Sequence, residues 1–214
     1  MGKLGLAGVV VLGAVLRFAE LGTRSFWRDE AVSVLLTRMR FGDMLATIPE
    51  TEGTPPLFYV LAWGWTRIFG DAEAGLRSLP ALAGTVTIPV AYAIATRLAG
   101  RRAGLATALL TAVSPLLVWH SQDARAYALL VLLGALSFLA CLAAREALLE
   151  DAELGAAGRG KAVTSPLALW AVASALAVAT HYFALFLVVA EALWLLFAGA
   201  PVRRPAASRS SSPS

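Results

Sequence analysis

Charge is scarce in this chain of 214 residues: Asp, Glu, Lys and Arg together make up 15%, against roughly 25% in a soluble domain. That shortage, with 58% hydrophobic residues and a mean hydropathy of +0.71, excludes an ordinary soluble fold. Cysteine is nearly absent too. Cys141 is alone, so no internal disulfide can form, and inside an apolar block its thiol is inert packing. The familiar nucleotide and hydrolase signatures are missing: no Walker loop, no Gly-rich dinucleotide fingerprint, no GxSxG elbow and no HExxH. The net charge is +4 with a pI of about 9.7. These basic residues stand beside apolar blocks rather than on a soluble face, which points to membrane topology and away from nucleic acid.

The chain is rich in long apolar runs. They cover 4–19, 76–98, 103–119 and 126–144, and then 166–198, a run too long for one span and interrupted by Thr180-His181-Tyr182. A span needs about 20 apolar residues. The first run ends in Arg17-Phe18 without a small-residue cleavage pattern, so it reads as an uncleaved span rather than a signal peptide. The stretch at 55–70, which opens on two prolines and contains Arg67, is short for a span.

Charge decides that stretch. If it stays outside the bilayer, Lys3, Arg101, Arg102, Arg145, Arg159, Lys161, Arg203 and Arg204 share one side. The acid-rich segment 20–75, the HSQDAR turn at 120–125 and the His181 turn share the other. Cytoplasmic loops carry the Lys/Arg excess, which puts both termini inside and the motif-like segments outside. The expected fold is therefore all-α: a polytopic transmembrane helix bundle of about six spans with outer-surface juxtamembrane helices. Residues 1–199 form one membrane module, and 200–214 read as a disordered low-complexity tail. Within the outer loop, Asp29 to Ile48 has helical spacing, with Ala31, Leu35, Leu36, Met39 and Leu45 on one face.

Three outer segments could carry chemistry. FWRDE supplies Asp29 and Glu30; HSQDAR supplies His120, Gln122, Asp123 and Arg125; the last turn supplies His181 and Tyr182. Arg77 stands at the outer start of a span. Each has a plainer reading beside it. An acidic pair also caps a helix N-terminus. Arg77 also fits an interfacial anchor, HSQDAR a polar loop, and Tyr182 an aromatic belt. Arg17 and Glu191 lie inside apolar blocks, where structural pairing is the simplest role for an ionisable side chain. Histidines and carboxylates gather on one face without metal-ligand spacing, so no cofactor is assigned and a divalent metal stays open.

The segments LRFAELGTRSFWRDEAVS, GTPPLFYVLAWGWTRIFGDAEAGLRSLP, SPLLVWHSQDARAYAL and THYFALFLVVAE, in that order, resemble the N-terminal part of bacterial family 39 glycosyltransferases. These belong to the glycosyltransferase C superfamily, with the protein O-mannosyltransferases. The resemblance runs from about Leu16 to Glu191. It implies a cell-membrane enzyme, active face outward, that moves a sugar from a polyprenyl-phosphate donor to an acceptor hydroxyl. By that resemblance Asp29 is the catalytic base with Glu30 in support, and Arg77 and Arg125 meet the donor phosphate. Asp123 matches a second acidic position, and Gln122, His181 and Tyr182 join the substrate-binding set. Its partners are then the lipid-linked donor and membrane lipid. Family members usually run to several hundred residues. Against that pattern the chain reads as a fragment, a truncated product or a half that works with a partner chain or a missing C-terminal part.

Two rival readings remain from the sequence. One is a non-catalytic membrane module that binds lipid-linked sugar or a partner chain. The other is a small transporter or flippase, disfavoured because ionisable residues gather at the outer rim, whereas transport sites lie near the midplane.

Overall fold

The computed structural model describes residues 2–154 and 161–198; the tail expected at 200–214 lies outside them. Every regular element among the described residues is helical: α1 (Gly2–Phe18), α2 (Arg28–Arg38), α3 (Phe41–Thr51), α4 (Leu57–Phe69), α5 (Glu73–Val113), α6 (Pro115–Ser121), α7 (Tyr127–Leu154), α8 (Lys161–Thr180) and α9 (Ala184–Ala198). In hydrocarbon no water can satisfy backbone groups, and helices satisfy their own. α5, α7 and α8 are long and apolar enough to cross a membrane, while α1 and α9 are apolar but shorter.

α5 is a hairpin rather than one rod. Gly100 takes φ 83° and ψ 174°, outside helical space, and a glycine reaches this region without a Cβ clash. Beyond it the chain runs back: Ile88 and Tyr92 of the first limb pack with Ala108 and Ala112 of the second, and Leu6, Val9 and Val10 of α1 complete that cluster. The second limb stops at Ser114 because Pro115 follows. Proline has no N–H to give Thr111. Arg17 takes over that duty, donating to the carbonyls of Thr111 at 2.8 Å and Ala112 at 2.9 Å. The intramembrane arginine thus has the structural role expected for it. Glu191 is similar: its Oε2 accepts from the Ser137 hydroxyl and from Trp170 Nε1, tying α9 to α7 and α8.

The bundle has two distinct ends. At one lie the Gly100 turn and the exposed Arg97–Glu146 ion pair. At the other, α2, α3 and α4 form a cap whose buried Leu36, Met44, Ile48, Phe58 and Tyr59 share a core with Leu76, Leu129, Leu133 and Ala177 from α5, α7 and α8. α4 has 13 residues, so it is about 20 Å long, short of the roughly 30 Å hydrocarbon core.

Two sequence expectations change here. The helical stretch from Asp29 to Ile48 is two helices, broken where Met39 and Arg40 are extended. Trp63 Nε1 and Arg67 hold that corner through the carbonyls of Met39 and Thr37. The buried face of α2 is also not the apolar stripe expected. Leu36 is buried, but Leu35 is exposed, and the inner positions are Glu30, Ser33, Val34 and Thr37. A polar inner face hides from a search for apolar periodicity. The charged segment beginning at Arg145 continues α7 as helix to Leu154.

Candidate active site

Glu30 and Arg77 build the floor of the site. Both are deeply buried, at 0% and 3% exposure. Arg77 meets the carboxylate two-pronged, Nε to Oε1 at 2.8 Å and Nη2 to Oε2 at 2.6 Å. The same carboxylate accepts from the backbone N–H of Ala124 at 2.8 Å and of Trp27 at 2.9 Å. The Trp27 bond caps α2, since Glu30 is its third residue reaching back to the cap. Burial pushes the Glu30 carboxyl up, but Arg77 and the two amides outweigh that and hold it below the ordinary carboxylate value.

Arg77 has no donor to spare. Its remaining N–H groups go to the carbonyls of Leu21 (2.9 Å), Arg24 (2.7 Å) and Ser25 (3.1 Å), which accounts for all five donors of a guanidinium. It therefore fixes the course of the loop between α1 and α2. Gln122 does the equivalent for the end of α1, donating to the carbonyls of Leu16 and Ala19 at 3.0 Å each. These are orphan acceptors of a helix C-terminus.

Above this floor opens a cavity of about 220 Å³ lined by Glu20, Arg24, Trp27, Asp29, Trp119 and Asp123, with Arg77 and Gln122 in its wall. Asp29 is exposed. Among the described residues its carboxylate makes no hydrogen bond or ion pair, and only its carbonyl is engaged, by Arg125 Nη1 at 3.1 Å. Asp123 is half-buried. Its carboxyl is pushed up to about 6, first by burial and then by the negative charge of Glu30, against the pull of Arg125 and Arg77. The cavity thus presents two free carboxylates, Asp29 and Glu20, beside a third carboxyl, Asp123, that holds its proton more tightly than usual.

Arg125 stands behind Asp29, outside the cavity lining. Its Nη1 reaches Glu52 Oε1 at 2.7 Å as well as the Asp29 carbonyl, tying the α3–α4 loop to the start of α2. The structure does not bring His181 and Tyr182 to the polar cavity. His181 packs against Tyr127 and Phe183, and its Nδ1 accepts from the Phe183 N–H at 3.2 Å. Tyr182 lines a separate opening with Glu52, Pro55 and Pro56.

Five cavity residues were not picked out from the sequence, the apolar Leu21 among them. Trp27 and Trp119 sit directly beside the two motifs, with ring centroids 5.9 Å apart; adjacency was the only signal for them. Arg24 is exposed, and its guanidinium has no ion-pair partner among the described residues. Glu20 adopts φ 60° just past the end of α1, a left-handed position that usually falls to glycine, and nothing in the pattern around it announces that. Among the described residues no group of three or more His, Cys, Asp or Glu side chains is placed to hold a metal ion.

Compared with protein families, residues 53–210 match the one described as dolichyl-phosphate-mannose-protein mannosyltransferase. The match takes in Arg77, Gln122, Asp123, Arg125, His181 and Tyr182, and begins after Asp29 and Glu30. No curated protein and no solved structure matches the chain.

Proposed function

The chain belongs to the dolichyl-phosphate-mannose-protein mannosyltransferase family, a family of membrane glycosyltransferases, and from that premise we propose that it moves a sugar from a polyprenyl-phosphate donor to an acceptor hydroxyl at the outer face of a cell membrane. The observation that carries this reading is the cavity in which the unpaired Asp29 carboxylate stands among Arg24, Trp27, Trp119 and Asp123.

An alcohol is a poor nucleophile until a base takes its proton, and Asp29, a free carboxylate between Trp27 and the HSQDAR turn, is the base we assign. As the acceptor oxygen bonds to the anomeric carbon, the bond from that carbon to the phosphate oxygen breaks. The electron pair leaves with the polyprenyl phosphate, and the hydroxyl proton passes to Asp29. One direct displacement inverts the anomeric centre. Charge growing on the leaving phosphate needs cations already in place. Arg77 and Arg125 give the cavity positive potential while their own hydrogen bonds go to protein groups, and Arg24 is the guanidinium free to bond the phosphate. Glu30 then acts as a positioning residue, holding Arg77, the cap of α2 and the Ala124 amide together. Gln122 positions the end of α1. Tyr182 belongs, in this reading, to the neighbouring opening, where it would touch the lipid or acceptor portion of a substrate rather than the reacting atoms, with His181 beside it in the chain.

Orientation follows from charge. Six apolar helical legs (α1, the two limbs of α5, α7, α8 and α9) as six crossings keep Lys3, Arg101, Arg102 and Arg145 together at the end away from the cavity. That end is cytoplasmic by the Lys/Arg excess of inner loops.

The test is transfer of radiolabel from a polyprenyl-phosphate-sugar pool in membranes holding this chain, with Asp29→Asn beside the wild type. A lost general base lowers rates by about 10²–10⁴-fold. Wild-type transfer reduced on that scale in an equally well-inserted variant supports the reading; transfer unchanged by the substitution removes Asp29 as the base.

A further inference from the structure

Beneath the HSQDAR turn the bundle leaves a second, narrow space, a void of about 10 Å³ lined by Arg17, Gly84, Thr87, His120, Ser121 and Ala128, among others. Two of these side chains carry buried polar atoms without a partner among the described residues: Nε of Arg17 and Nδ1 of His120. They are complementary. The first can only donate, and the second accepts when the imidazole proton sits on Nε2.

The remaining polar groups at the void have capacity left. The Ser121 hydroxyl donates to the Leu117 carbonyl and the Thr87 hydroxyl to the Ala83 carbonyl, so both oxygens keep lone pairs to accept with. The approach is close: a Cβ built on Gly84 would lie 2.0 Å from Ser121 Oγ and 3.0 Å from Arg17 Nε. Only a glycine at 84 lets these two groups converge.

The void matches one particular ligand. A single water needs about 10–15 Å³ and two to four polar partners. The Arg17 guanidinium repels a cation, and the space is too small for a polyatomic anion. We propose that this void binds one ordered water, which accepts from Arg17 Nε and donates to His120 Nδ1 and to the hydroxyl oxygen of Ser121 or Thr87. Every orphaned polar atom at the void then has a partner, as buried polar groups in native proteins do.

The placement gives the water a job. Arg17 is on α1, Gly84 and Thr87 on α5, and His120 and Ser121 on α6. These three elements lead directly into the three walls of the polar cavity: the Glu20–Asp29 loop, the Arg77 turn and the HSQDAR turn. The water is the node at which they are pinned below the cavity, and His120 is a positioning residue acting through it. This inference does not rest on the glycosyltransferase reading and stands or falls separately from it.

The test is X-ray hydroxyl-radical footprinting of the full chain in phosphatidylcholine nanodiscs, because radicals form at bound waters as well as in bulk. Leu117 lines the void, while Leu116 is an equally apolar neighbour exposed on the outside of the bundle. The expected result is oxidation of Leu117 several-fold faster than of Leu116. Ala128→Leu, which fills the void, is expected to bring Leu117 down to the rate of Leu116. His120→Leu, which removes the acceptor, is expected to do the same and decides the matter if Ala128→Leu does not insert. Equal rates for the two leucines in the wild type, or a fast Leu117 that persists when the void is filled or His120 replaced, overturn the proposal.

Discussion

Arg77→Met would leave the Glu30 carboxylate buried at 0% exposure without its cation. Stranding one member of a buried ion pair costs about 3–5 kcal/mol, so the variant should melt well below the wild type in detergent. Replacing both partners by methionine removes the stranded charge as well. The double variant should therefore recover part of the loss, and a double variant no better than the single one would mean that the loop carbonyls, not Glu30, are what Arg77 serves. The two carboxyls around this arginine carry opposite pH signs. Glu30 is held below its ordinary value, so its contribution to stability is present above the unfolded value and lost as pH falls through the folded one. Asp123 is raised to about 6. Its contribution is fully present below the unfolded value of about 3.9 and disappears as pH rises through about 6. Asp123→Asn should thus gain on the wild type in melting temperature between pH 4 and pH 7.5, measured by thermal unfolding across that range. A constant gap between the two proteins would refute the raised carboxyl. The sequence showed Asp29, Glu30, Arg77 and Asp123 as candidates. It did not show which carboxylate is free, because that depends on Arg77 being 47 positions from Glu30 yet 2.8 Å from it.

At the scale of elements, the hairpin of α5 depends on the backbone of Gly100. Its φ of 83° with ψ of 174° is a region that costs other residues about 1–3 kcal/mol. Gly100→Ala should destabilise the protein by that margin and melt below the wild type in detergent; an unchanged melting temperature would show that the turn tolerates a side chain there. The Gly-Arg-Arg interruption was legible from the sequence as the break between two apolar runs. The break between α2 and α3 was not. No proline or glycine stands at Met39-Arg40, and the corner is imposed from outside by Trp63 and Arg67, whose side chains collect the carbonyls that the turn exposes. Pro115, by contrast, is a local signal, but its consequence is not: the carbonyl it orphans is met by Arg17, 94 positions away.

For the molecule as a whole, the arrangement of ends makes the orientation open to a direct experiment. Cys141 is buried, so cysteines added at exposed positions report alone. A membrane-impermeant maleimide applied to intact spheroplasts should label Asp43→Cys at once and Arg101→Cys only after permeabilisation. The reverse pattern would place the polar cavity inside and end the outer-face reading. A protein with both sites accessible from one side would break the count of crossings instead.

The sequence by itself determined the solvent and the helical class of the fold, because both are written in composition and in the order of apolar and charged blocks. Low charge and long apolar runs demand a bilayer, and a bilayer demands helices. It also marked the segments around the candidate site, since polar clusters are conspicuous in so apolar a chain. Only the tertiary structure decided what each polar group does. It joined Glu30 to Arg77 and left Asp29 free. It drew Trp27, Trp119 and Arg24 into one cavity, and set His181 and Tyr182 outside it. It also brought Arg17 and His120 to a shared void. The reason is physical: whether a charged side chain is a tool or a tie depends on whether its hydrogen bonds are already taken, and its partners lie tens of residues away, chosen by how the helices pack and not by their neighbours in the chain.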